Sequence, residues 1–397
     1  MNKRIATFWW MQLLVLSAVH FFIDMFAGML PPLLPVIREE FALSLSLGGL
    51  LVIALNMTSN GIQVLTGHLR ARKRRPLFLH IGLIVGACIC LLGILPRTSY
   101  VFVPLFVLAL VGGCGIAVVH PEALRAVHHL RRIPPAVSTA VFMAGGFLGY
   151  ASSGAVSTIL VSRFGLRGLY PLILCPAVGI LLVILLRIRL AVEPTVGNTN
   201  KRVVSDKRLP FWLLFAMAIP AAVSTIVLVS LLPTVLNELA FELTFGGFSV
   251  TMFGLGGAAG SFVWAGIAHK KGELPCSIAA LFLVVPFLAA YLIFIDSKMA
   301  IWMMFGTGFC AISAYTLMIT LARDTTGPNL GRRMGFMVGG TWALANIVFL
   351  ALLPATQYFG PEVILKFTPV GYVISAVFGL FIMLRARRLA GEKIAGK

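Results

Sequence analysis

The chain alternates between long apolar stretches and short polar connections over almost its entire length. A helix of about 20 apolar residues is long enough to cross the hydrocarbon core of a bilayer. Apolar stretches of that length therefore predict membrane-spanning helices. The pattern predicts twelve spans, at residues 9–36, 45–67, 77–96, 100–125, 135–162, 167–190, 209–237, 244–268, 275–296, 299–322, 334–358 and 364–385.

One connection differs from the others in length and composition. Residues 191–208 are polar, contain Pro194 and Gly197, and lack apolar periodicity, which together predict a linker. The linker divides the chain into an N-terminal six-helix bundle, residues 1–190, and a C-terminal six-helix bundle with a short tail, residues 209–397.

The two halves resemble each other in sequence. Three short motifs recur in the corresponding spans at offsets of 194, 198 and 193 residues. The pairs are Phe142–Ala151 with Phe336–Ala345, Leu33–Pro35 with Leu231–Pro233, and Gly113–Gly115 with Gly306–Gly308. Repeats of six helices are typical of transporters, whose binding site lies between the repeats near the membrane midplane. The sequence predicts an all-α membrane protein of twelve transmembrane helices in two pseudo-symmetric halves.

Composition and charge agree with a membrane protein and exclude soluble classes. Only 11% of the residues are charged and the mean hydropathy is +0.98, so the chain cannot cover a soluble globule with polar surface. The net charge of +19 is unevenly placed, because 26 of the 32 lysines and arginines fall on the side of the N-terminus. This asymmetry predicts that both termini and the linker are cytoplasmic, and it implies contact with anionic lipid rather than nucleic acid.

Ionisable side chains inside the predicted spans are candidates for function, because burying a charge in a bilayer is costly. In span 1, His20 and Asp24 are four residues apart and therefore share one helix face. We expect Asp24 to be a proton carrier, and His20 to relay protons or to bind an anionic substrate. The alternatives are a carboxylate held structurally by a neighbouring helix and a histidine that only packs at a helix interface.

A second group of polar residues lies near the predicted cytoplasmic end of span 4. Glu122 and Arg125 are three residues apart on one side of the helix, whereas His120 points elsewhere. Glu122 is a candidate for proton coupling and Arg125 for the substrate path, with a structural ion pair between them as the alternative. His120 is a candidate to relay protons or to bind an anionic substrate, with packing at a helix interface as the alternative. Pro121 is expected to bend the helix.

Neutral polar residues and glycines supply further candidates. The polar residues either line a hydrated substrate path or form hydrogen bonds between helices, and they are Asn56, Asn60, Gln63, Asn346 and Gln357. The glycines of span 5 predict close helix packing, which also seals against proton leak. They are Gly145, Gly146, Gly149 and Gly154.

The sequence lacks the patterns typical of enzymes and metal centres. Its six cysteines lie in apolar stretches without metal-ligand spacing, so we interpret them as buried apolar side chains. No cytoplasmic segment is long enough to hold a Ser/His/Asp set or a glycine-rich phosphate loop. We therefore expect no enzymatic activity, no cofactor and no metal.

The twelve-span plan resembles the major facilitator superfamily over nearly the whole chain. Motifs in spans 1, 2 and 4 resemble its fosmidomycin-resistance-type drug antiporter branch, namely His20-Phe-Phe-Ile-Asp24, Leu30-Pro-Pro-Leu-Leu-Pro35, Gln63 and Gly113-Cys-Gly-Ile-Ala-Val-Val-His-Pro-Glu122. The resemblance implies alternating access between two halves and drug–proton antiport in a bacterial inner membrane. It also implies roles for His20, Asp24, His120 and Glu122.

The chain departs from a loop pattern that is usual in this superfamily. The loop after span 2 usually reads Gly-x-x-x-Asp-Arg-x-Gly-Arg-Arg, and Gly67, Arg72 and Arg75 fit that pattern as conformational residues. Ala71 replaces the acid and Arg74 replaces the glycine. The loop therefore lacks the acid that helps to latch the cytoplasmic side in relatives.

The sequence favours a secondary active transporter of a small organic solute. The preferred hypothesis is proton-coupled export of a drug or metabolite. One alternative is a proton-coupled uptake carrier, and another is a non-transporting membrane receptor or scaffold on the same fold. Intramembrane acids argue against the scaffold. We expect the partners to be the solute, protons and the lipid bilayer, and the chain to function as a monomer.

Overall fold

The computed structural model describes residues 3–69, 73–98, 100–130, 132–133, 135–191, 209–328 and 330–395. The described part of the chain is helical, and its one β contact is an isolated bridge between Pro210 and Thr326. Within these described ranges, twelve helical segments are long and apolar enough to cross a membrane. The twelve predicted spans and the all-α fold class are therefore confirmed.

The chain divides into two compact units. The described residues of Met1–Asn200 form the first unit together with Leu236–Thr251, and those of Lys201–Val235 and Met252–Lys397 form the second. Residues 192–208 of the predicted linker lie outside the described residues. The division of the sequence at 191–208 therefore stays a prediction.

The described residues up to 191 form seven α-helices and two 3-10 segments of the first unit. The α-helices are α1 Lys3–Gly28, α2 Leu30–Glu40, α3 Leu45–Leu69, α4 Leu77–Gly86, α5 Phe102–His129, α6 Pro135–Phe164 and α7 Leu174–Leu185. The 3-10 segments Ala87–Ile94 and Leu166–Ile173 extend α4 and precede α7. Within this unit α1 packs against α6, and α5 packs against both α3 and α4.

The remaining helices begin with two that cross between the units, α8 Phe211–Glu238 and α9 Leu243–Lys271. Those that follow lie wholly in the second unit. They are α10 Glu273–Ile293, α11 Ile301–Ala322, α12 Leu330–Gly335, α13 Thr341–Phe359, α14 Pro361–Lys366 and α15 Thr368–Ala395. Here α10 packs against α11 and α15.

The first predicted span is divided in two by its prolines. Helix α1 ends at Gly28, and α2 begins at Leu30 with Pro31 and Pro32 in its first turn. Proline has no N–H to donate to the preceding turn, so the α1 hydrogen-bond ladder stops there. The same residues are well tolerated in the first turn of a new helix, where backbone N–H groups lack intrahelical partners.

A π-helical turn interrupts the eleventh span. Residues Phe336–Gly340 form this turn between α12 and α13. The Tyr315 hydroxyl on α11 donates a hydrogen bond to the Met337 carbonyl, and the Thr341 hydroxyl donates to the Phe336 carbonyl at 3.3 Å. Side-chain donors thus satisfy carbonyls in the widened turn.

The close approach of α1 and α6 depends on glycines. A Cβ atom built on Gly145 would collide with the backbone of Ser17, and one on Gly149 would collide with the backbone of Phe21. Only glycine leaves room for backbones this close. This contact brings α6 directly against the face of α1 that carries His20 and Asp24.

Candidate functional site

Three ionisable side chains from two helices meet in the first unit, and we call His20, Asp24 and His120 the His–Asp–His cluster. The Nε2 atom of His20 lies 3.3 Å from Oδ2 of Asp24, one turn further along α1. The Nε2 atom of His120, on α5, lies 2.9 Å from Oδ1 of Asp24. The side chain of His20 is 5% exposed and those of Asp24 and His120 are 21% exposed, so the cluster is largely covered yet reachable.

Backbone carbonyls orient both imidazole rings. Nδ1 of His20 lies 2.9 Å from the carbonyl oxygen of Phe142 on α6, and Nδ1 of His120 lies 3.0 Å from that of Ile116 on α5. A carbonyl oxygen can only accept, so each Nδ1 must carry the hydrogen. In a neutral ring the lone pair then sits on Nε2, and both lone pairs are directed at the Asp24 carboxylate.

This arrangement has a direct consequence for proton occupancy. An ionised carboxylate offers only lone pairs, so a neutral imidazole in this tautomer would face it acceptor to acceptor. Each of the two Nε2–carboxylate contacts becomes a hydrogen bond only when a proton lies on it. With both protons present the cluster carries one net positive charge, and with neither present it carries one net negative charge. The geometry is that of a cluster that binds protons.

Helix α6 confines the cluster on one side. A Cβ atom built on Gly146 would come within 2.5 Å of Oδ2 of Asp24 and 2.6 Å of Nε2 of His20. The Phe142 ring stacks on the His20 imidazole, with centroids 4.1 Å apart. Tyr150 on the same helix is a further titratable side chain that interacts electrostatically with Asp24. Gly146 therefore does more than allow helix packing, since any side chain there would displace the cluster.

Glu122 lies two residues from His120 but has a different setting. Its side chain is buried, and Oε2 accepts a hydrogen bond at 3.0 Å from the backbone N–H of Leu79. Leu79 is in the first turn of α4, where N–H groups lack intrahelical partners and a negative charge is favoured. Glu122 thus caps α4 from α5, and its predicted part in proton coupling stays a prediction.

Arg125 ties together chain segments at one end of the first unit. Its guanidinium donates to the Ala191 carbonyl from Nε at 3.0 Å and from Nη2 at 2.6 Å. Nη2 also donates to the Lys73 carbonyl at 2.8 Å. These contacts join the segment before α4 and the segment after α7 to α5, which continues as a helix through Pro121.

The amides of the predicted polar stripe bond back to their own helix. Nδ2 of Asn60 donates to the Asn56 carbonyl at 2.9 Å, and Nε2 of Gln63 donates to the Ser59 carbonyl at 2.8 Å. These residues of α3 stay partly exposed. Gly154 lies elsewhere in the unit, where an added Cβ would collide with the Gly247 backbone.

Two further candidates lie on α13. Asn346 is fully buried, and its Nδ2 donates to the Trp342 carbonyl at 2.8 Å. Its Oδ1 has no hydrogen-bond partner among the described residues. Gln357 is exposed near the end of the helix. Asn346 therefore keeps an acceptor available inside the second unit, while Gln357 lies on its surface.

Comparison with known families decides the identity of the fold. Residues 16–350 match the family model described as Major Facilitator Superfamily. The chain belongs to the major facilitator superfamily. The resemblance inferred from the sequence is thus confirmed at the level of the superfamily.

Two proteins of this superfamily illustrate how distant the relatives are. An uncharacterized MFS-type transporter, YfnC of Bacillus subtilis, is 22% identical over 376 residues, which cover 90% of each chain. The fosmidomycin resistance protein of Escherichia coli is 22% identical over 151 residues, which cover 38% of this chain and 36% of that one. The second match is partial, so it supports a likeness to that branch at low identity.

Solved structures share the superfamily fold. A bacterial homologue of the human lysosomal transporter Spinster, in an inward-facing and occupied conformation, matches with a TM-score of 0.69 and 16% identity, covering 94% of this chain and 97% of that one. A POT family transporter in complex with 5-aminolevulinic acid matches with a TM-score of 0.71 and 13% identity, covering 95% and 96%. At these identities the likeness establishes the fold alone.

The superfamily loop motif is only partly within the described residues. Gly67 belongs to α3, while Ala71 and Arg72 lie outside the described residues. Arg74 and Arg75 are exposed. The conformational role predicted for Gly67, Arg72 and Arg75 stays a prediction.

The structure brings Asp24 and His120 together, although the sequence predicts them at different depths in the membrane. From the predicted span ends, Asp24 lies near the middle of span 1, whereas His120 lies near the cytoplasmic end of span 4. Helix α5 runs to His129 rather than to Arg125, so His120 lies nine residues from the helix end. Phe142 was missed because it contributes a backbone carbonyl and a ring face, neither of which has a sequence signal. The glycine pattern around Gly146 was the one available hint that α6 approaches α1.

Proposed function

We propose that the protein is a proton-coupled exporter of a small organic solute that works by alternating access. The His–Asp–His cluster is the observation that carries this proposal. Its two Nε2–carboxylate contacts give two proton positions, so we expect up to two protons to be exchanged in each transport cycle.

Coupling requires that the cluster hold protons more tightly in one conformation than in another. A tenfold difference in proton affinity between two conformations biases their equilibrium by about 1.4 kcal/mol. Losing both protons turns each contact from attractive to repulsive, so α1 and α5 would then separate at the cluster. Proton release is thereby linked to relative movement of these two helices.

We further propose that neutral groups bind the solute. The buried acceptor of Asn346 supports this assignment, as do the partly exposed amides Asn56, Asn60 and Gln63. Export is favoured over uptake because part of the chain is similar to a protein named for fosmidomycin resistance. The transported solute is therefore expected to be a drug-like or metabolite-like molecule.

Placement in the membrane follows from the basic residues. We propose a bacterial inner-membrane protein that is active as a monomer. Both termini are proposed to be cytoplasmic, because 26 of the 32 lysines and arginines fall on the side of the N-terminus in the predicted topology. Reporter fusions at residue 200 and at the C-terminus test this arrangement. Both are expected to report the cytoplasm, and an external signal at either position would contradict it.

Proton flux in proteoliposomes tests the proposed function. The purified protein is exposed to a panel of candidate solutes, with the pH gradient imposed in each direction. We expect at least one solute to cross the membrane in the direction opposite to the flow of protons. Movement of solute with the protons would establish uptake instead, and the absence of solute-dependent proton flux across the panel would favour a receptor or scaffold.

A further inference from the structure

We propose that the His–Asp–His cluster is also a binding site for a divalent transition-metal ion of the Zn²⁺ type. The sequence predicted no metal, because it shows no metal-ligand spacing; His20 and Asp24 on α1 are far in sequence from His120 on α5. In the folded first unit one ligand atom from each residue lies within 4.8 Å of the others. Metal binding at this site is distinct from the proposed proton coupling, because it requires only the geometry of the ligands and no transport activity.

The orientation of the imidazoles is the main argument. Metal-binding histidines usually donate their second ring N–H to a carbonyl or carboxylate, which fixes the tautomer and directs the free lone pair at the metal. Both histidines have this support, from the carbonyls of Phe142 and Ile116 at 2.9 and 3.0 Å. Two imidazole lone pairs and one carboxylate therefore converge before any metal arrives.

The spacing of the ligand atoms also fits. In a tetrahedral site with metal–ligand distances of about 2.0–2.1 Å, neighbouring ligand atoms are about 3.3–3.4 Å apart. The distance from His20 Nε2 to Oδ2 of Asp24 is 3.3 Å and that from His120 Nε2 to Oδ1 is 2.9 Å, so each carboxylate oxygen faces one imidazole. The longest separation among the three ligand atoms is at most 4.8 Å, so it shortens by up to about 1.4 Å when a tetrahedral ion binds.

The ligand set selects the class of metal. Two imidazoles with one carboxylate suit Zn²⁺, Co²⁺ or Ni²⁺, whereas Mg²⁺ and Ca²⁺ prefer oxygen ligands. Two neutral imidazoles and one carboxylate leave one net positive charge with a divalent ion, the same as with two protons. A metal ion thus replaces both protons without changing the charge of the cluster.

Metal and protons must compete for the same lone pairs. A metal that displaces two protons loses up to about a hundredfold in affinity for each unit by which the pH falls. Tyr150 is the neighbouring titratable group that also interacts with Asp24. Zn²⁺ is therefore expected to inhibit proton-coupled transport more strongly at high pH than at low pH.

Cobalt absorption tests the site on the purified full-length protein. Co²⁺ is titrated into metal-free protein in detergent while the visible d–d bands are recorded, and Zn²⁺ is then added to displace it. The variants are Asp24→Asn and His120→Gln, with His128→Gln as control, because His128 is exposed near the end of the same helix. Thermal unfolding and size-exclusion profiles check that each variant is folded.

We expect one Co²⁺ per chain with the intense bands of a four-coordinate site, displaced by Zn²⁺ and weakened as the pH falls. The bands should be lost in Asp24→Asn and His120→Gln and kept in His128→Gln. Absence of a bound ion in the wild type, or an unchanged spectrum in folded Asp24→Asn and His120→Gln, would overturn the assignment. The readout is independent of transport, so failed proton coupling with retained cobalt binding would refute only the proposed function.

Discussion

The two compact units bury different kinds of polar group. The first unit buries His20 and Glu122, and it holds Asp24 and His120 with 21% exposed side chains. In the described part of the second unit no carboxylate, imidazole or amine side chain is buried, and the half-buried Arg333, whose Nε is covered, donates to the Thr325 carbonyl. Its buried polar groups include hydroxyls such as that of Tyr372, which bonds to Thr225 at 2.8 Å, and the amide of Asn346.

This difference shows that the fold itself does not require buried acids or histidines. Both units are built from long apolar helices, and the second is built without such groups in its described part. Because a charge within a bilayer is costly, the groups in the first unit call for a functional reason. Proton handling in the first unit and neutral solute contacts in the second would account for the difference.

The largest loss of pH-driven solute accumulation among these variants of the two units is expected from Gly146→Ala. The added Cβ would meet Asp24 and His20, so the cluster must move apart, at a cost of about 1–3 kcal/mol. We expect pH-driven solute accumulation to fall about tenfold or more, measured in proteoliposomes. Leu148→Ala, at an exposed position on the same helix, is the control. Equal accumulation in Gly146→Ala and the control would show that the cluster geometry is irrelevant.

A change in proton count is expected from His120→Gln. One of the two Nε2–carboxylate contacts is removed, while His20 keeps the other. A gradient of one pH unit should then maintain a solute concentration ratio across the membrane of about tenfold instead of about a hundredfold, measured with the membrane potential clamped. An unchanged ratio would mean that His120 carries no coupled proton.

The second unit is expected to respond differently. In Asn346→Ala the unpartnered Oδ1 is lost, and one hydrogen bond to solute corresponds to about 1 kcal/mol. The KM for the solute should rise about fivefold with the proton count unchanged. A change in proton count in this variant would remove the distinction between the two units.

The smallest effect is expected from Glu122→Gln. The glutamine oxygen can still accept from the Leu79 N–H, so this hydrogen bond is kept while the negative charge at the α4 N-terminus is lost. We expect a loss in stability of about 1 kcal/mol, measured by thermal unfolding, with coupling intact. Loss of coupling in a folded Glu122→Gln protein would place Glu122 in the proton path.

Most of the fold could be predicted from the sequence because apolar length and short connections determine the spans. The exceptions are local. The break at Met29 follows from Pro31 and Pro32, whose place in a first turn becomes evident only when α2 is seen to be separate. The π-helical turn at Phe336–Gly340 has no apolar signature, since it is supported by hydroxyls from Tyr315 and Thr341.

The candidate site could be predicted only within one helix. The four-residue spacing of His20 and Asp24 placed them together, because spacing along a helix is regular. The meeting of Asp24 with His120 depends on how α1 and α5 are aligned along their lengths, which errors in the span ends obscure. The supporting carbonyls of Phe142 and Ile116 carry no residue-type signal at all.

Solute accumulation by Asp24→Asn tests the central claim most directly. Wild type, Asp24→Asn and the exposed-acid control Asp296→Asn are compared in proteoliposomes, with the solute from the panel and an imposed pH gradient. We predict that Asp24→Asn loses gradient-driven accumulation but keeps gradient-independent solute exchange, while Asp296→Asn behaves as wild type. If Asp24→Asn accumulates solute with an unchanged dependence on the pH gradient, the His–Asp–His cluster is structural and does not couple protons to solute transport.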